Sequence, residues 1–239
     1  MRTILSYPLS PVSAALASSD KQSIAKTTKS TLLTLLEEKC KSVAIETTES
    51  HNTALILDAM AIVQSLSRSA IPATFGELAK RLLDNVLRLA TKVSARRVDF
   101  AGDQYLTVSI KNVERARRVA GGSSVRTIYS PSQQTPKQWT KYLADGSNKA
   151  MLQAFIVKHR QSLAIDADIE IYTAVDRECK RLRFSQSSTP TVDDVLELKS
   201  DHEEADTMMI LRAFHANANQ FDKIVLCSPD TDVAVLLLY

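Results

Sequence analysis

Short apolar runs alternate with amphipathic helical patterns along most of the 239-residue chain. The run at 53–58 precedes a helical pattern over 74–93, where apolar residues recur every three or four positions after the capping residue Thr74. Further strands are predicted at 96–103, 167–175, 223–228 and 233–239, further helices at 29–39, 109–122, 140–160 and 203–218, and a mobile loop at 185–194. This alternation predicts an α/β fold, in which a mostly parallel central sheet is flanked by helices in three layers.

The chain is predicted to divide into an N-terminal extension with an amphipathic helix, residues 1–45, and one α/β domain, residues 46–239. Lys and Arg number 30 against 27 for Asp and Glu, an excess too small to indicate an anionic partner by itself. Pro8 and Pro11 interrupt the apolar N-terminal patch, and no stretch approaches the ~20 apolar residues of a membrane span. We therefore expect no membrane partner and an intracellular protein of the nucleus or cytoplasm.

Acidic residues follow several of the predicted strands. Asp58 and Asp103 each end a strand, Asp230 and Asp232 follow a later one, and the segment 203–206 opens the helix before it. Because the carboxyl ends of parallel strands meet at one edge of a sheet, these side chains are expected to lie together. Carboxylates held close repel one another unless a cation neutralises them, and such oxygen ligands suit Mg²⁺ or Mn²⁺. Two ions about 4 Å apart would activate a water for phosphodiester hydrolysis.

Each acidic motif also has a simpler structural explanation. Asp58 has the position of a helix N-cap, and the segment 230–232 has the sequence of an Asx turn. On a regular helix Glu203 and Asp206 share a face, so Glu204 and Asp206 converge only if Glu204 lies at an unwound helix start. Considered together, four acidic positions at strand ends and helix starts favour the metal site.

A predicted basic helix lies just beyond Asp103. It carries four cations and one acid within eight residues, the cations being Lys111, Arg115, Arg117 and Arg118. Three of the cations share a face by their three- and four-residue spacing. A basic face near an acidic metal site suits nucleic-acid cleavage, because cations hold the backbone where the metal acts. The alternative is an ordinary solvated helix face.

Four segments, LILDAMAIVQSL, FAGDQYLTVSIKNVERARR, EEADT and SPDTDVAVLLL, resemble in this order the acidic motifs of the PIN-like superfamily. The resemblance covers residues 50–239, and within the superfamily it is to the branch of the flap-endonuclease-like 5′ nucleases. It is closer still to uncharacterised proteins associated with mobile elements, which carry DHEEADT and SPDTDV motifs. The resemblance implies a PIN-like, three-layer fold and metal-dependent cleavage of DNA or RNA.

The resemblance also assigns roles to individual residues. It implies that six acids hold two divalent ions, Mg²⁺ or Mn²⁺, and form the catalytic site: Asp58, Asp103, Glu204, Asp206, Asp230 and Asp232. The order of its motifs favours Glu204 over Glu203. It further implies that the basic residues of 111–118 bind the substrate phosphates.

The resemblance is interrupted after the last acidic motif. Flap-endonuclease-like proteins continue into helices that grip the duplex, whereas this sequence ends at Tyr239, so a C-terminal truncation is expected. We therefore expect a nuclease and keep as an alternative a catalytically inactive nucleic-acid-binding or scaffold domain derived from a mobile element. A phosphohydrolase with aspartyl-phosphate chemistry is less favoured, because its acidic motif would follow the first strand.

Overall fold

The fold is described from a computed structural model, which describes residues 52–66, 71–105, 125–175, 177–185 and 188–238 and five helical positions between 31 and 39. The chain divides into two compact units, Met1–Ala44 and Ile45–Tyr239. In the first unit the described positions are exposed and lie within the predicted helix 29–39: Thr31, Thr34, Leu35, Glu38 and Lys39. No helix among the described residues is both long and apolar enough to cross a membrane.

The second unit is built on a six-stranded sheet. Its strands are β1 Thr53–Asp58, β2 Ala95–Ala101, β3 Ile169–Val175, β4 Glu178–Phe184, β5 Thr191–Asp194 and β6 Lys223–Cys227. Their order across the sheet is β5-β4-β3-β2-β1-β6. Strands β6, β1, β2 and β3 pair in parallel, whereas β3, β4 and β5 pair antiparallel.

The prediction of a mostly parallel sheet is therefore wrong, because the sheet is mixed. The segment that joins β3 to β4 is only two residues long, 176–177, and includes Arg177 with φ 71°. A connection this short can join only antiparallel strands. Strand β5 likewise forms inside the segment 185–194, which was predicted to be a mobile loop.

Helices cover both faces of the sheet, which gives the three predicted layers. They are α1 Ala59–Gln64, α2 Phe75–Lys92, α3 Trp139–Leu143, α4 Gly146–Arg160, α5 Ala205–Ala218 and α6 Thr231–Leu238, with a 3₁₀ helix at Leu196–Leu198. Helix α2 packs on one face of the sheet, where Leu83 meets Leu57 and Phe100, and helices α1, α3 and α4 pack with it. Helix α5 covers the other face, where Met209 lies with Ile56.

Helix α2 forms where its sequence predicts it. The Thr74 side chain accepts a hydrogen bond from the Glu77 N–H, and the Glu77 carboxylate accepts one from the Thr74 N–H. This reciprocal capping box satisfies two N–H groups that the first helical turn leaves without partners. The prediction of a helix over 74–93 with Thr74 as its cap is confirmed.

Residues 233–238 of the predicted strand at 233–239 instead belong to helix α6, and Tyr239 lies outside the described residues. The apolar run Val-Ala-Val-Leu-Leu-Leu fits a buried strand and a helix equally well by periodicity. Asp230 favours the helix, because its Oδ1 accepts a hydrogen bond from the Asp232 N–H at 3.1 Å and so caps the first turn. Val233 is buried against the sheet, while Val235 and Leu237 are exposed.

The strand order places one edge of the sheet at a topological switch point. Strand β2 follows β1 on one side, whereas β6 joins β1 on the other side after a crossover through α5. Neighbouring connections therefore leave the carboxyl end of the sheet in opposite directions and open a crevice there, where α/β proteins bind ligands. The predicted acidic residues follow β1, β2 and β6 at this edge.

Candidate metal centre

Three aspartates from two separate segments converge beyond the carboxyl end of the sheet. Asp206 lies in the first turn of α5, Asp230 follows β6, and Asp232 lies in the first turn of α6. Each offers one carboxylate oxygen, and the three oxygens all lie within 4.8 Å of one another. Asp206 and Asp230 are half-buried and Asp232 is exposed, so the group opens to solvent on one side.

The turn after β6 determines where its two aspartates lie. The Ser228 Oγ accepts a hydrogen bond from the Asp230 N–H at 3.0 Å. One oxygen of Asp230 then accepts from the Asp232 N–H. These two side-chain-to-backbone bonds form the Asx-type turn that the sequence indicated. The turn and the metal-site interpretations are therefore compatible, since the same turn brings both carboxylates beside Asp206.

Asp58 and Asp103 lie next to this group and also cap helices. Oδ1 of Asp58 accepts from the N–H groups of Met60 at 2.8 Å and Ala61 at 3.0 Å, as an N-cap does. Oδ1 of Asp103 accepts from the N–H of Ala205, the first residue of α5, at 3.0 Å. Asp58 thus has the N-cap role that the sequence suggested. Asp103 has a similar role at the start of α5, a helix that is distant from it in sequence.

The carboxylates of Asp58 and Asp103 interact electrostatically with the three-aspartate group. Burial raises the pKa of Asp206, and the carboxylates of Asp230, Asp232, Asp58 and Asp103 raise it further. Burial also raises the pKa of Asp58, where the N–H groups of its helix oppose the shift and Asp103 and Asp230 add to it. Mutual repulsion of this kind is relieved when a cation binds between the carboxylates.

Glu204 lies at the start of α5, where the resemblance requires a metal ligand, but it is not part of the three-aspartate group. It is the N-cap residue of α5, with extended dihedrals of φ −102° and ψ 140°. The helix start is therefore unwound, which is the condition for Glu204 and Asp206 to converge. Its side chain makes no capping hydrogen bond, and the group that could hold a metal consists of Asp206, Asp230 and Asp232 among the described residues.

The predicted basic face lies outside the described residues. Lys111, Arg115, Arg117 and Arg118 all fall within 106–124, between the end of the Asp103 loop and residue 125. Their assignment to phosphate binding stays a prediction.

The donor set of the three aspartates fits a hard divalent cation. Mg²⁺ binds oxygen at about 2.0–2.1 Å in octahedral geometry, so opposite ligands lie about 4 Å apart. At most two of three such ligands can be opposite and neighbouring ones lie about 2.9 Å apart, so oxygens within 4.8 Å of one another are near the spacing that one ion requires. A second ion would require further oxygens, and Asp58 and Asp103 each already use Oδ1 to cap a helix.

Sequence reasoning missed a buried ion network that holds α5 on the sheet. Asp99 of β2 accepts hydrogen bonds from Arg97 Nε at 2.6 Å and from Arg212 of α5 at 2.9 Å. All three side chains are fully buried. The signal was available in the sequence, because charged residues at positions i and i+2 of a strand point to the same face. A carboxylate on a buried sheet face requires cationic partners.

Comparisons of the chain with protein-family models, with curated proteins and with solved structures find no match. The resemblance to flap-endonuclease-like nucleases therefore stays a prediction.

Proposed function

We propose that this protein is a divalent-metal-dependent nuclease of PIN-like architecture that hydrolyses phosphodiester bonds in DNA or RNA with two ions, Mg²⁺ or Mn²⁺. One observation carries the proposal: Asp206, Asp230 and Asp232 meet within 4.8 Å at the carboxyl edge of the sheet. Asp58 and Asp103 add their charge to the same group. Such a concentration of negative charge repels a phosphodiester unless cations lie between the two.

The residues of the site divide the work of binding. Asp206, Asp230 and Asp232 would hold the first ion, and Asp58, Asp103 and Glu204 are the candidates for a second. When bound, divalent ions activate a water and stabilise the leaving oxygen of a phosphodiester. Asp103 also fixes the start of α5 through the Ala205 N–H, so it positions Asp206 as well as contributing charge. The open side of the site, at the exposed Asp232, is where a polymeric substrate would approach.

The basic residues between 111 and 118 complete the proposal. An acidic metal site has no attraction of its own for a polyanion, so binding requires cations nearby. Contacts of lysine and arginine with phosphates supply this binding free energy, because they release condensed counterions, and they do so for any nucleotide sequence. Lys111, Arg115, Arg117 and Arg118 follow Asp103 closely in the sequence and are assigned to this role.

The experiment is a cleavage assay with flap, single-stranded and duplex DNA and RNA in Mg²⁺ or Mn²⁺. We expect cleavage that stops with EDTA and falls at least about 100-fold in the double variant Asp230→Ala, Asp232→Ala. Asp222→Asn is a matched control, because this exposed acid lies just before the opposite end of β6. Absence of cleavage by the wild type, or equal cleavage by the double variant, refutes the proposal.

A second function, an inactive nucleic-acid-binding or scaffold domain, is favoured by one observation. Asp58 and Asp103 each use one carboxylate oxygen to accept a hydrogen bond from a helix N-terminus, as structural capping residues do. Nucleic-acid binding that survives EDTA, without turnover, would support this function. Failure to bind any nucleic acid would count against both.

A further inference from the structure

Arg160, the last residue of α4, is a buried cation away from the acidic centre. Its side chain is 3% exposed, and its Cζ lies 3.8 Å from the centroid of the Phe100 ring. Burial lowers its pKa to about 9, and no charged neighbour contributes to that shift. Its Nε is buried and has no hydrogen-bond partner among the described residues. The guanidinium therefore remains charged at neutral pH without a protein counter-charge in the described part of the chain.

Thr173 of β3 presents a second donor of the same kind. It is 1% exposed, and its Oγ1 is buried with no hydrogen-bond partner in the described ranges. Both residues line one cavity of about 40 Å³, together with Gln153 and Gly102. The rest of the wall is apolar and comes mainly from helices α1 and α4 and from Phe100. Two buried polar groups without hydrogen-bond partners in the described ranges thus line a cavity whose wall is apolar apart from these two residues and Gln153.

This combination requires a compensating group inside the cavity. Leaving an ionised group buried without a partner costs far more than an ordinary hydrogen bond, and arginine does not escape by losing its proton. A water molecule can accept hydrogen bonds from both donors, but it leaves the charge in place. An anion accepts the same bonds and neutralises the charge.

Size restricts which anion fits. One water needs roughly 10–15 Å³ measured in this way, so the cavity has room for about three water-sized groups. A nucleotide or a phosphate ester is larger than that. We propose that the cavity is a binding site for a small monovalent inorganic anion of the size of chloride, held by Arg160 and Thr173. This site is independent of the proposed nuclease function.

Occupation of the site would stabilise the sheet edge that carries the acids. The cavity wall includes Ala59, which follows Asp58, and Gly102, which precedes Asp103. An anion that binds only the folded state raises the melting temperature in a saturable way. If an anion binds in this cavity, the stability of the folded state should depend on which anion is present and not only on ionic strength.

The test is thermal unfolding in EDTA, at constant ionic strength, as sodium gluconate is replaced by sodium chloride or bromide. We expect the wild-type Tm to rise saturably, by about 5 °C or more once the halide far exceeds its Kd. Arg160→Met, which keeps the bulk of the side chain without its charge, should lose the response, and Thr173→Val should weaken it. Arg126→Met is the control, because Arg126 is exposed.

Either of two results overturns the proposal: a wild-type Tm that is equal in halide and gluconate, or an unchanged halide response in Arg160→Met. If that variant does not fold, bromide is located by anomalous diffraction in wild-type crystals. A bromide peak beside Arg160 supports the site, and a cavity without bromide at saturating concentration refutes it. The assay contains neither divalent metal nor nucleic acid, so its outcome is separate from that of the cleavage assay.

Discussion

Replacing Asp206 by asparagine tests whether the acidic group is a metal site or an ordinary solvated surface. The change removes one charge and preserves the shape of the side chain. At 4.8 Å, two unit charges repel by about 0.9 kcal/mol in water and about 3.5 kcal/mol at an effective dielectric constant of 20. Because Asp232 is exposed, its repulsion with Asp206 is near the lower value. Asp230 is half-buried, so its repulsion with Asp206 lies between the two values.

The metal-free Asp206→Asn variant should therefore be more stable than the wild type by about 2 kcal/mol, after allowance for solvent screening and side-chain relaxation. For a domain of this size that corresponds to a Tm increase of about 4–8 °C. The measurement is thermal unfolding in EDTA at neutral pH. Asp222→Asn, which removes an equal charge from an exposed site, should change Tm by less than about 2 °C.

The same experiment has a pH dependence of known sign. Burial and neighbouring carboxylates raise the pKa of Asp206, so the folded state binds this proton more tightly than the unfolded chain does. Its destabilising contribution is absent below the ordinary pKa of about 3.9 and fully present above the raised value. The stability advantage of Asp206→Asn should therefore shrink as the pH is lowered from neutral towards 4.

Divalent ions should reverse the order of stability. Mn²⁺ or Mg²⁺ at 100 times its Kd would stabilise the wild type by about 2.7 kcal/mol, because the ion binds only the folded state. Asp206→Asn should lose most of this gain, whereas Asp222→Asn should keep it. A metal-free Asp206→Asn variant that is no more stable than the wild type, or an equal response of both variants to the ion, would show that these aspartates are not a metal site.

Two further predictions concern stability alone. Asp99→Asn should destabilise the protein by about 3–5 kcal/mol in urea unfolding, because it leaves the buried guanidinium groups of Arg97 and Arg212 without their carboxylate; a loss below 1 kcal/mol would contradict this. Thr74→Ala should cost about 1 kcal/mol through loss of the N-cap of α2, with Thr74→Ser as the control that retains it. An unchanged urea midpoint in the alanine variant would contradict the second prediction.

The parts of the fold that sequence predicted are those in which local pattern and tertiary environment agree. Helix α2 has a full amphipathic repeat and its own cap. Strand β1 is buried and largely apolar up to Leu57, and residues 98–101 of β2 are buried and apolar except for Asp99. Strand β4 has neither advantage, since its sequence is largely charged. It is stabilised by pairing with β5, where Lys180 reaches Asp194 at 2.7 Å. Pairing of this kind depends on a neighbouring strand, so a local pattern does not reveal it.

The sequence predicts that the candidate site consists of aspartates at strand ends and helix starts. It does not predict which of these aspartates lie together. An aspartate after a buried strand is visible in sequence, and parallel pairing brings Asp58, Asp103 and Asp230 to one edge. Which carboxylates then converge depends on side-chain geometry at the first residues of α5 and α6. Glu204 and Asp206 are two residues apart, yet only Asp206 joins the group within 4.8 Å.

The position of Asp206 is determined by two anchors between α5 and the end of β2. At the open edge the Ala205 N–H donates to Asp103, and in the core Arg212 donates to Asp99. The anchors are seven residues apart on the helix, about 10 Å, and four residues apart along the other chain, at most about 13 Å. Two bonds at separate points of the helix restrict how far α5 can shift along the sheet. The buried ion network, far from solvent, therefore helps to place Asp206, a carboxylate of the candidate metal site.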